Sequence, residues 1–245
     1  MKPLVVRSAL VASIGGLIFG FDTAVISGTT EQLKSYFHLD DAYLGWTVGV
    51  ALLGTILGAL TAGKPADRYG RKPVLFVIGI LYMAGALGSA FATNVYILEV
   101  FRFLGGIGVG AASVCAPIYT AEIAPAKVRG RLVGLVQFNI VLGILLAYLS
   151  NTIVRSVVND PVTDWRWMFG VMAVPSAIFL VMLFSVPETP RWLMANGKEE
   201  EGRRIIGTLT TTKEEADFQI QEIDACCLLP RTPPRCRSSP RATSR

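Results

Sequence analysis

The chain has 245 residues, 52% of them hydrophobic and only 17% charged, with a mean hydropathy of +0.50. Its charges cluster between long neutral runs, which excludes an ordinary soluble domain and points to a membrane protein. The net charge of +5 does not indicate a nucleic-acid partner, because Lys and Arg recur in alternate connections, as they do in chains oriented across a bilayer.

Six apolar runs lie at roughly 8–28, 43–62, 74–93, 97–118, 132–153 and 165–186, each near the ~20 residues that cross a ~30 Å hydrocarbon core as a helix. Lys2 and Arg7 precede the first run, Lys64, Arg68, Arg71 and Lys72 fill the second connection, and Lys127, Arg129 and Arg131 the fourth. Those sides are expected to be cytoplasmic. The opposite connections carry Lys34, then no cation, then Arg155, so both termini are expected inside a plasma membrane crossed several times. Tyr43 and Trp46, then Trp165 and Trp167, are placed to mark the outer interface.

The first run follows Lys2 and Arg7 as a signal-peptide core would, but it is long and holds Asp22, so it is read as a retained span. A carboxylate inside a spanning helix costs a few kcal/mol and normally faces a cavity, an ion path or a counter-charge. Arg102 lies about five residues inside the fourth run, ~8 Å by helical rise, and Asp22 six residues before Gly28, ~9 Å from the same surface. The two are therefore the expected pair, either as a structural salt bridge or as a proton site from which the arginine moves away. Glu99 is close enough to the boundary to reach water.

Gly16 and Gly20, Gly45 and Gly49, Gly54 and Gly58, and Gly106 and Gly110 are spaced four apart, a pattern that lets helix backbones approach closely in lipid. The stretch from Gly106 to Ala111 also fits a dinucleotide fingerprint, but no soluble strand precedes it and its setting is a membrane-length run. In the fifth run Gln137 and Asn139 carry amides that suit either polyol hydroxyls or an interhelical hydrogen bond, and their side chains point ~200° apart around the helix. Cys115 falls in a span and Cys226, Cys227 and Cys236 in the tail, with a spacing that fits no common zinc pattern and a single histidine, His38, far away. No metal or cofactor is expected, and no nucleophile and base pair for an enzyme.

Three connections on one side combine both charge signs. They are Asp67-Arg68-Tyr69-Gly70-Arg71-Lys72, then Glu122, Pro125, Arg129 and Gly130, then Pro187-Glu188-Thr189-Pro190-Arg191-Trp192-Leu193. The arginines serve either topology alone or a set of ion pairs that opens and closes with conformation.

These motifs, with the Gly-Phe-Asp-Thr-Ala-Val-Ile-Ser-Gly stretch at 20–28 and the Pro117-x-Tyr119-x-x-Glu122 segment, occur in an order that resembles the sugar porter family of the major facilitator superfamily over about residues 8–225. The resemblance implies an all-α membrane fold, the N-terminal six-helix half of a transporter built from inverted three-helix repeats around a midplane site. It implies that Asp22 binds the proton with Arg102 as partner, and that Gln137 contacts sugar hydroxyls. Ile144 stands where xylose-carrying members have a second glutamine, as in glucose carriers. It further implies a cytoplasmic latch of Asp67, Arg68, Gly70, Arg71, Glu122, Arg129, Glu188 and Arg191. Proton symport, facilitative uniport and a non-transporting sugar sensor or membrane interaction fragment remain open. The expected partners are a monosaccharide, a proton, the bilayer and a second half. Expected divisions are a bundle at 1–193, amphipathic helices at 194–225, and a tail at 226–245 in which Pro and Arg alternate without an acid. That tail is expected to be disordered and to mark a premature or frame-shifted end.

Overall fold

The computed structural model describes residues 2–228 apart from 126, 159, 161, 162 and 211. Every regular element among them is helical. Six helices among the described residues are long and apolar enough to cross a membrane: Pro3–Gly28, Asp41–Thr61, Arg71–Ala90, Val95–Ile123, Arg129–Val157 and Asp164–Leu183.

Helix α1 (Pro3–Val25) opens on a proline, whose missing N–H is no loss in a first turn, and ends in a 3-10 turn at Ile26–Gly28. It thus begins before the expected position 8. The short α2 (Thr30–Phe37) was not anticipated. It is mostly polar, buries Leu33, and stops where His38 turns left-handed with φ 53°. Asp40 caps α3 (Asp41–Thr61) by accepting from Tyr43 N at 2.8 Å, and Asn94 caps α6 (Val95–Ile123) by accepting from Ile97 N at 2.9 Å. Between them lie α4 (Gly63–Tyr69), a helix where only a tight basic turn was foreseen, and α5 (Arg71–Ala90). Helix α7 (Arg129–Val157) follows, and like α6 it has 29 residues.

The sixth span is not continuous. It divides into α8 (Asp164–Val171) and α9 (Ala173–Leu183) around Met172. Pro175 explains the break, since it cannot donate to the Val171 carbonyl four residues back and its ring crowds that oxygen. Three helices follow at the same end as α4: α10 (Pro190–Ala195), α11 (Glu199–Leu209) and α12 (Lys213–Leu228). Helix α12 includes residues 226–228, past the boundary expected at 225. The remainder of the expected tail, 229–245, lies outside the described residues.

Two seams organise the bundle, and they are copies of each other. On the first, Gly16 and Gly20 of α1 face the backbone oxygens of Val136 and Ile140, while Gly143 of α7 faces Leu17 O. On the second, Gly106 and Gly110 of α6 face Ala51 O and Thr55 O, while Gly58 of α3 faces Ile107 O. Positions 16, 17, 20 with 136, 140, 143 therefore repeat as 106, 107, 110 with 51, 55, 58. Because α1 and α6 run in opposite directions, this repeat is an inverted one. A side chain at Gly20, Gly110 or Gly143 would drive into a carbonyl of the facing helix. The pair Gly45 and Gly49 does not belong to a seam: among the described residues a Cβ at either meets nothing within 4 Å, so the expectation of a helix contact there is corrected. Helix α5 packs against α6, α9 against α5 and α1, and α8 against α5 and α7, with Phe179 of α9 filling the space beside Gly15.

Candidate functional site

The carboxylate of Asp22 and the guanidinium of Arg102 meet inside the bundle, with Arg102 Nη1 donating to Asp22 Oδ1 at 2.6 Å. Both side chains are buried, at 6% and 4% exposure, so the pair is removed from solvent. Asp22 lies just past the close approach of α1 to α7 at Gly20, and α6 brings Arg102 in from its Asn94 cap to meet it. A third group completes the arrangement: Arg102 lies over the ring of Phe169 in α8, 5.3 Å from its centre. Arg102 Nε has no hydrogen-bond partner among the described residues, so the guanidinium is held by one charged hydrogen bond and one ring. Sequence alone offered no sign of Phe169, one aromatic among several in an apolar run.

On the face formed by α1, α6 and α7 lies a cavity of about 480 Å³. Gly16, Phe19, Ser113, Pro117, Gln137 and Ile140 are among its lining residues. Pro117 sits inside α6 and has no N–H to donate to the Ser113 carbonyl, so one bond of the helical ladder is missing beside the cavity. Gln137 is exposed on this face. Asn139 is turned away, its Nδ2 donating to Leu135 O of its own helix at 3.0 Å, and Ile144 packs against the apolar core. Neither lines the cavity, so of the three residues expected at the sugar only Gln137 is on this wall. Asp22 does not line it either, although Phe19, one turn earlier, does. Glu99 does not simply reach for water: it accepts from Thr47 Oγ1 of α3 at 3.0 Å.

At the α4 end, Arg71 is the centre of the charged cluster. Its Nη2 lies 2.9 Å from Asp67 Oδ1 and 3.0 Å from Glu122 Oε1, and its Nη1 donates to Ala66 O at 3.0 Å. Glu188 caps α5 from another segment, accepting from Arg71 N at 3.1 Å and from Lys72 N at 3.0 Å, and also from Thr189 N at 2.8 Å. Burial pushes the Glu188 carboxyl above its ordinary range, opposed by these three N–H groups and by the Arg71 charge. Gly70 makes the cap possible, with φ at 105° and no room for a Cβ against Glu188. Two motif residues outside the expected latch tie the same corner: Trp192 Nε1 donates to Asp67 O at 2.9 Å and Tyr119 Oη to Pro187 O at 2.8 Å.

The remaining latch candidates are less tightly joined. Arg129 reaches Glu222 of α12 at 3.7 Å, and Arg191 shares a cleft of about 120 Å³ with Glu122, Arg129 and Glu222. Arg68 lies over Tyr69 at 5.4 Å. Asp67, Gly70, Arg71, Glu122 and Glu188 thus form one connected cluster, with Arg129 and Arg191 at its edge and Arg68 apart.

The family described as "Sugar (and other) transporter" matches residues 8–226. A glucose transport protein of Synechocystis sp. is 39% identical over 231 residues, covering 91% of this chain and 49% of that protein. A D-xylose-proton symporter of Escherichia coli strain K12 is likewise 39% identical over 250 residues, covering 87% of this chain and 49% of its own length. The solved structure of a proton:xylose symporter with a bound 6-bromo-6-deoxy-D-glucose superposes with a TM-score of 0.86 at 36% identity, over 91% of this chain and 53% of that one. The chain therefore spans about half the length of the curated relatives it matches. With its family match, its inverted glycine seams and its helical fold in agreement, the chain belongs to the sugar porter family of the major facilitator superfamily, of which it covers the N-terminal half.

Proposed function

We propose that this chain is the proton-handling half of a monosaccharide-proton symporter working by alternating access. The observation that carries the reading is the buried Asp22–Arg102 pair. A carboxylate in an apolar bundle is neutralised either by the guanidinium or by a proton, and an exchange between the two couples proton entry to rearrangement of α1 against α6. Arg102 is suited to that exchange because its Nε is unpartnered and Phe169 offers a resting surface for the charge. Gln137, whose amide both donates and accepts, supplies hydrogen bonds for sugar hydroxyls in the adjoining cavity. The Arg71 cluster then acts as the latch at the cytoplasmic side, with both termini on that side, as the Lys and Arg distribution supports. The relatives named for D-xylose and glucose support a pentose or hexose as the cargo.

The test uses a carrier that contains this chain as its first six spans, reconstituted in liposomes. An inward proton gradient should drive sugar accumulation in the parent, and Asp22→Asn should abolish accumulation while leaving equilibrium sugar exchange intact. Uphill accumulation by Asp22→Asn would overturn the proton role. Uptake by the parent that is indifferent to collapse of the gradient would instead make the pair structural and the protein a uniporter. Binding with no exchange in either form would make it a sensor.

A further inference from the structure

A second groove, of about 480 Å³, lies between α5 and the α8–α9 span and shares no helix with the Gln137 cavity. Leu87 of α5 and Phe91 just past its end form one wall, Gly170 and Val174 the other, and Trp167 and Arg166 stand at its α2 end. The walls are open to the surroundings, with Phe91 73%, Trp167 62% and Val174 60% exposed. Arg166 is the only charged residue among the described residues lining the groove. Its position is fixed: Nη2 donates to Tyr36 Oη at 3.1 Å, and its guanidinium lies 4.9 Å from the Trp165 ring centre and 5.5 Å from that of Tyr36. None of the ion pairs among the described residues involves Arg166, so its charge is oriented but not neutralised.

Arg166 is the third residue of its span, which puts it at headgroup depth, with an exposed indole beside it and an oily channel running toward the membrane centre. A cation above an apolar slot of this kind complements an anionic headgroup joined to an acyl chain, and in a bilayer the abundant form of that chemistry is a phosphate. We propose that this groove binds an anionic glycerophospholipid, the phosphate on Arg166 and one acyl chain between α5 and α9. Tyr36 and Trp165 hold the guanidinium outward, so little side-chain freedom is lost when the lipid arrives.

Native mass spectrometry of the purified 245-residue chain tests this, with phosphatidylglycerol as the probe and a diacylglycerol of the same chains as the neutral comparison. Phosphatidylglycerol should be retained preferentially, and Arg166→Ala should lower its retention about fivefold, as expected for loss of one basic group at the lipid surface. Gly170→Leu is the second variant. A Cβ there meets only Ala90 Cβ at 3.8 Å, so the larger side chain enters the groove without displacing backbone and should cut retention of the lipid on its own. Lys34→Ala, which removes an exposed cation at the same end, should change nothing. Retention at the parent level in both Arg166→Ala and Gly170→Leu would overturn the proposal. So would equal retention of the diacylglycerol by the parent, or a loss in Lys34→Ala as large as that in Arg166→Ala.

Discussion

Asp22 and Arg102 each make the other tolerable in the bundle, so removing one leaves a buried charge without compensation. Arg102→Ala should therefore destabilise the chain by ~3–5 kcal/mol, seen as loss of the folded fraction in detergent titration, and Asp22→Asn combined with it should restore much of that. An effect that simply adds in the double variant would show that the two do not interact. The pairing was legible because helical rise converts sequence position to depth, and both residues came out at the same depth. Phe169 was not legible, since the residue that lies over a guanidinium depends on how α8 is rotated, and an apolar run conceals its own rotation. Glu188 makes a residue-scale prediction of a different kind. Its carboxyl titrates above the ordinary value of 4.5 in the folded chain, so the native state binds the proton more tightly than the unfolded one. Stability contributed by that proton is present below the unfolded value and lost as pH rises through the folded one. Relative to Glu188→Gln, the parent should lose stability on raising the pH across that window, and thermal unfolding at a series of pH values would show a flat difference if Glu188 did not titrate there.

The helices meet along seams made of glycine against carbonyl, where packing depends on the absence of side chains. Gly110→Leu should prevent α3 and α6 from closing and leave the protein largely unfolded or aggregated on size exclusion, the effect of gross overpacking. Gly45→Leu, by contrast, should elute and melt with the parent, because nothing lies within 4 Å of a Cβ there. A spacing of four identified glycines capable of close approach, but it identifies a stripe and not its partner, which is why Gly45 and Gly49 were indistinguishable from Gly54 and Gly58 in the sequence. The existence of six spans was equally plain from hydropathy. The break at Met172 was not, because the run stays apolar through it and only Pro175 records the interruption. Helices α2 and α4 escaped notice for the opposite reason: both are too short and polar for any apolar period to develop.

Across the molecule, Arg71 joins α4, α5 and α6, and Glu188 joins the start of α10 to the start of α5, so one corner carries contacts from four elements. Arg71→Ala should free Asp67 and Glu122 together, and hydrogen exchange at residues 66–72 should quicken by about tenfold or more while exchange near Arg102 stays unchanged. Uniform quickening would mean that the corner supports the whole fold and not a local latch. The membership of this corner was readable from charge, but not its ranking, since Arg68 and Arg71 look alike in sequence and only the direction in which each leaves its helix separates them. Length adds a last consequence. Helix α5 has 20 residues, ~30 Å, which only just matches a hydrocarbon core, whereas α6 and α7 at 29 residues reach ~43 Å. A thicker bilayer is absorbed by α6 and α7 without strain but pulls on both ends of α5, and one of those ends is the Arg71–Lys72 turn clasped by Glu188. Membrane thickness thereby becomes a mechanical input to the corner that no soluble ligand needs to touch.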